Sequence, residues 1–122
     1  MTEFTIRTED IGEQAKLIAL TGEIDLYNAP EFKKRLSDII DKGTKEVVID
    51  LSEATFIDST TLGVLVGAVK KLRTQGGRLS LICSNHHITS VFNITGLDRV
   101  FPIFATRDEA VANLGGSSLA SM

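Results

Sequence analysis

The sequence predicts an α/β domain: a mixed β-sheet of about four to five strands with an N-terminal hairpin and two parallel βαβ crossovers, covered by about four helices. Three observations carry this. The chain begins with two short apolar-polar stretches separated by a glycine break. Its centre holds "EVVIDLS", residues 46–52, an apolar run too short for a helix and rich in β-branched residues, as in a strand covered on both faces. From there, segments of helical and of strand character alternate, and such crossovers impose parallel pairing with a right-handed path.

Taken in order, "FTIR" (Phe4 to Arg7) alternates as a half-buried strand does, and Ile11-Gly12-Glu13 breaks it before a second strand, "KLIALTG". "NAPEFKKRLSDIIDKG" has the signs of a helix: Asn28 as N-cap, Pro30 in the first turn, Glu31 three residues after the cap and Gly43 past the end. Its core face is Phe32, Leu36, Ile39 and Ile40. After the central strand comes a helix ending near "TQGG", then the strand "RLSLIC". "NHHITSVFNITG" reads as a short helix capped by Ser84 or Asn85 and stopped by Gly96. "TRDEAVANL" follows, with Thr106 and Glu109 spaced as a capping box.

Residues 1–114 therefore form one domain, and "GGSSLASM", residues 115–122, has no periodicity and reads as a flexible C-terminal tail. A chain of 122 residues can bury a sizeable core and has no room for a second domain. With 43% hydrophobic and 24% charged residues it is neither collagen-like, disordered nor coiled-coil. The net charge of -3 argues against direct nucleic-acid binding, which draws on clustered Lys and Arg. The single cysteine, Cys83, ends an apolar run, as a buried free thiol in a reducing cytoplasm would. "MTEFTIRTED" lacks the features of a secretory signal, and the apolar run from Leu62 to Val69 is too short to span a membrane. A cytoplasmic protein without membrane contact is expected.

"TFIDSTTLGVLVGAVKKL", residues 55–72, is the most pointed stretch. On a helix starting near Ser59, Leu62, Leu65, Val69 and Leu72 form a core-facing stripe. Ser59, Gly63, Gly67 and Lys70 fall on another, roughly a third of a turn away. Each interior glycine costs about 1 kcal/mol relative to alanine, so either the helix packs closely on its own sheet or a partner approaches it there. Asp58, Ser59, Thr60 and Thr61 offer four candidates for one capping position, which leaves at least one hydroxyl at the positive end of the helix dipole. Such a hydroxyl suits hydrogen bonding to a partner or acceptance of a phosphate.

This stretch, with "TGEID" before the first helix and "ITGLDRVFPIF" near the end, resembles the STAS-domain anti-sigma factor antagonists of bacteria, over the chain from about Phe4 to Leu114. The resemblance implies that the serine after the motif aspartate, Ser59, is phosphorylated by a serine/threonine kinase that is also the anti-sigma factor, and that the phosphate blocks further binding. It implies that Asp25, Asp58, Ser59, Thr60, Thr61, Leu62 and Gly63 form the docking surface. It also implies a separate serine phosphatase that restores the active form, with no catalytic residue, cofactor or metal in this chain. A monomer or weak dimer is expected. An adaptor or sensor role in another bacterial signalling complex is the alternative. One position departs from the family pattern: Thr61 stands where members commonly have glycine, so it either borders the contact or points toward the protein's own surface, at a wheel angle near that of Leu72.

Other chemistries find little support. Ser59 with His86 or His87 lacks a G-x-S-x-G elbow and any triad spacing. Cys83, His86 and His87 lack a fourth metal ligand, and adjacent helical histidines point about 100° apart. Phosphate-loop and dinucleotide fingerprints do not occur. Lys70, Lys71, Arg73 and Arg78 read as a solvated face more readily than as a patch for an acidic partner.

Overall fold

The computed structural model describes residues 3–114, so the expected tail lies outside the described residues. Strand β1 (Thr5–Gly12) turns back into β2 (Ala15–Ile24), followed by helix α1 (Ala29–Asp41), β3 (Glu46–Ile57) and α2 (Ser59–Thr74). Then come β4 (Arg78–Ile82), α3 (His86–Thr95), a 3-10 turn (Leu97–Arg99), β5 (Ile103–Phe104) and α4 (Arg107–Ala112). The five strands lie in the order β1-β2-β3-β4-β5; β1 is antiparallel to β2 and the other neighbours are parallel.

The α/β class, hairpin and four helices match the sequence reading, and three boundaries differ. The hairpin turn lies at Glu13-Gln14, with Gln14 at φ 57°, and not at Ile11-Gly12-Glu13. A register shift between Asp10 and Gly12 lets β1 continue through the expected break. Strand β3 runs five residues past Ser52, because Glu53, Ala54, Phe56 and Ile57 still pair with the end of β2 across two further register shifts. A third parallel crossover, through α3, ends in β5, whose two residues are too few to show a period.

β2 and β3 are covered on both faces, which explains their unbroken apolar runs. Ile18, Leu20, Ile49 and Leu51 face a large cluster completed by Phe32 and Leu36 of α1, Leu65 and Leu72 of α2 and Phe92 of α3. Leu17, Ala19, Val48 and Ile82 face the opposite side, where Ala110 of α4 closes a smaller one. Phe92 meets Phe101 edge to face, with ring centres 5.9 Å apart.

Capping largely follows the sequence. Asn85 Oδ1 accepts from the His87 amide, Gly96 ends α3 at φ 77°, and Thr106 with Glu109 forms the capping box of α4. Asn28 holds the N-cap position of α1 but makes no side-chain capping bond. Its backbone is already helical, where an N-cap is typically extended, and its side-chain amide donates backward to Glu23 O at 2.5 Å.

Gly22 in "TGEID" sits at φ 90°, and a Cβ there would lie 1.7 Å from Glu3 O. Gly22→Ala is expected to destabilise the fold by at least about 2 kcal/mol, combining backbone strain with a clash against main chain. Urea unfolding of the variant measures it; a loss below about 0.5 kcal/mol contradicts the packing described.

Candidate functional site

The site forms where β2 and β3 end side by side, with Ile24 paired to Ile57. Parallel strands both release their chains at this end, so the β2–α1 loop and the start of α2 emerge together. In the loop, Asp25 Oδ1 accepts from the amides of Tyr27 (3.0 Å) and Asn28 (3.2 Å), and Asp25 O accepts from Asn28 and Ala29. The aspartate thus folds the loop upon itself.

At α2, Asp58 is the N-cap in extended conformation, and its Oδ1 accepts from the Thr61 amide at 3.1 Å. The capping function falls to Asp58 and leaves Ser59, the first helical residue, exposed. Thr60 and Gly63 are exposed as well, while Asp25, Asp58 and Leu62 are half-buried.

Thr61 corrects the sequence reading that grouped it with the docking residues. It is 0% exposed, and its hydroxyl donates to Ile24 O at 2.8 Å, tying α2 to the end of β2. A side chain sealed in this way cannot touch a partner. The core stripe of α2 accordingly runs through Thr61, Leu65, Ala68, Val69 and Leu72, with Leu62 at its margin.

The glycine question is also answered. Neither Gly63 nor Gly67 has an atom within 4 Å of where a Cβ would stand, so close packing on the domain's own sheet does not account for them. Both border an apolar groove between α1 and α2, together with Leu26, Val64 and Ala68. Sequence reasoning missed the exposed apolar residues at this end: Tyr27, 86% exposed, Leu26, and Phe56, 47% exposed. The apolar pair within "DLYN", between a strand and a helix start, was the available signal.

The other candidate groups lie elsewhere. His86 and His87 are exposed in the first turn of α3, whereas Cys83 is buried and burial raises its thiol pKa, which disfavours the thiolate a metal would need. Among the described residues no cluster of three metal-ligating side chains occurs. The basic set divides: Lys71 pairs with Asp41, and Arg78 binds Glu46 (2.5 Å) and Asn113 O (2.9 Å). Among the described residues no helix is long and apolar enough to cross a membrane.

Comparison with known proteins fits this geometry. The STAS domain family model matches residues 6–110. An anti-sigma-B factor antagonist of Bacillus subtilis is 35% identical over 94 residues, covering 77% of this chain and 85% of its own, and one of Listeria monocytogenes is 38% identical over 96 residues, covering 79% and 84%. The crystal structure of an anti-sigma factor antagonist from Mycobacterium paratuberculosis superposes with a TM-score of 0.82 at 27% identity, covering 90% of this chain and 92% of that one. The chain belongs to the STAS domain family.

Two substitutions in α2 should move stability in opposite directions. Thr61→Val keeps the shape but leaves Ile24 O without its hydroxyl donor, an expected loss of about 1–3 kcal/mol. Gly67→Ala relieves a helix-interior glycine with open space around it, an expected gain of about 0.5–1 kcal/mol. Chemical denaturation of both variants checks the pair.

Proposed function

We propose that this protein is an anti-sigma factor antagonist: unmodified, it binds an anti-sigma factor that is a serine/threonine kinase and thereby releases a sigma factor, and phosphorylation on Ser59 ends that binding until a serine phosphatase removes the group. The observation that carries this reading is the exposed Ser59 hydroxyl at the start of α2, beside an Asp58 whose carboxylate is already engaged in capping. Among the described residues none hydrogen-bonds that oxygen, which supports its use as a phosphate acceptor. The relatives' names support the partner class, since the two compared above are named anti-sigma-B factor antagonists.

The surroundings suit a protein contact. Leu26, Tyr27 and Phe56 offer apolar anchors, of the kind that dominate interface energetics when desolvated. Asp25 and Asp58, with Thr60, Leu62 and Gly63, supply the polar and close-approach part of the surface. Thr61 contributes from beneath by holding the α2 start against β2.

A phosphate on Ser59 adds about 1.5 to 2 negative charges and three acceptor oxygens at neutral pH. The helix N-terminus tolerates an anion, so the fold should persist. The penalty falls on the complex, where the partner must desolvate that charge beside Asp58 and Asp25. A thousandfold loss of affinity corresponds to about 4 kcal/mol, within what one uncompensated buried charge imposes.

The test is phosphorylation by a candidate anti-sigma kinase and ATP, mapped by mass spectrometry, with affinity measured for the unmodified, phosphorylated and Ser59→Asp proteins. One added phosphate on Ser59, and a loss of binding of about a thousandfold on phosphorylation, are expected. A phosphate on Thr60 alone, or unchanged affinity after modification, overturns the reading.

A further inference from the structure

Strand β1 stands at one edge of the sheet, and among the described residues no strand pairs with its outer side. The opposite edge, β5, has two residues, whereas β1 has eight, an open row of main-chain donors and acceptors about 26 Å long. Such a row is a template for another strand.

The side chains on β1 divide cleanly between the two faces. Glu9 and Ile11 lie on the α4 side: Glu9 is held by Arg107 through the two terminal guanidinium nitrogens, and Ile11 packs on the smaller core cluster. Ile6 and Thr8 lie on the α1 side, Ile6 against the larger cluster and Thr8 accepting from Arg35 at 3.4 Å. Alternation places Arg7 on the face of Glu9. Arg107 foremost, and Arg7 more weakly, lower the Glu9 carboxyl pKa, so Glu9 is a firm anion beside an exposed cation.

We propose that β1 pairs antiparallel with β1 of a second copy of this chain about a two-fold axis at Thr8, making one sheet continuous through both molecules. The charge pattern selects the register. A two-fold axis normal to the sheet sets residues of the same face opposite each other. With the axis at Arg7, two arginines face each other, and with the axis at Glu9, two glutamates do. At Thr8, Arg7 of each copy faces Glu9 of the other, a carboxylate that Arg107 also holds, so each pair is favourable and no like charges stand directly opposite. Placing the axis at Ile6 sets Arg7 against Thr5 and gives up the complementarity.

In this register Ile6 faces Asp10, whose charge is already paired with Lys16. The axis reverses the strand direction between copies, so the two ends that carry Ser59 point opposite ways. Neither is covered by the pairing, and each copy keeps its own docking surface. The dimer stands on the edge and its charges alone, independently of the proposed function.

Single cysteines test it directly. In a Cys83→Ala background, which removes the native thiol, cysteine is placed in turn by Ile6→Cys, Thr8→Cys and Asp10→Cys and oxidised mildly with diamide. Only residues at the axis face themselves, with Cβ atoms about 4.5–5.5 Å apart, near disulfide reach. Thr8→Cys is expected to crosslink about tenfold or more faster than the other two, and Arg7→Glu added to it should abolish that advantage. Circular dichroism confirms that each variant is folded. Sedimentation equilibrium of the unmodified sequence should show a dimer that Arg7→Glu weakens about tenfold or more. A strictly monomeric wild type, or preferred crosslinking at Ile6→Cys or Asp10→Cys, overturns the proposal.

Discussion

The hydroxyl of Thr61 joins the helix that bears the candidate site to the strand beside it, donating to Ile24 O while Asp58 takes the Thr61 amide. These two bonds fix where α2 begins and how it meets the end of β2. Much else at this end follows from them. Because Asp58 caps the helix and Thr61 is drawn inward, Ser59 and Thr60 are left facing solvent. Adjacent residues thus divide the labour: Asp58 and Thr61 hold the helix start in place, and Ser59 remains available to another molecule.

The same division recurs in the β2–α1 loop. Asp25 is committed to its own turn, and that turn leaves Leu26 and Tyr27 exposed. The parallel pairing of Ile24 with Ile57 puts the loop and the helix start at one end of the sheet, although 34 positions separate Asp25 from Ser59. Gly22 belongs to the same construction, since only a residue without a Cβ passes beside Glu3 O on the way into the loop. A phosphate at Ser59 would therefore add charge to a surface that also carries the exposed Leu26, Tyr27 and Phe56, where it alters recognition more readily than it alters the fold.

Local signals reported the fold well wherever burial and period coincide. The apolar runs of β2 and β3, the core face of α1 and the caps of α3 and α4 could all be read from residue type and spacing. They failed where pairing geometry overrides period. In the second half of β3 the buried residues are Leu51, Ala54 and Ile57, three apart, because register shifts break the alternation. Asn28 stands at the N-cap position its type suggested, yet its side chain makes no capping bond. The position of Ser59 could be read from the motif, whereas the inward turn of Thr61 was only one of two readings, since its acceptor, Ile24 O, lies 37 residues earlier. The exposed Tyr27 and Phe56 carry no periodic signal, being apolar residues that tertiary structure leaves outside.

The central claim is that one covalent anion on Ser59 changes recognition without changing the fold. Comparing amide NMR spectra and hydrogen exchange of the chain before and after phosphorylation tests it most directly. The account predicts shifts confined to the β3–α2 junction and the β2–α1 loop, with the amides of α2 beyond its first turn and of β2 to β4 keeping their protection. Loss of protection along α2, or in the strands beneath it, would mean that the phosphate acts by unfolding the helix and would contradict the account.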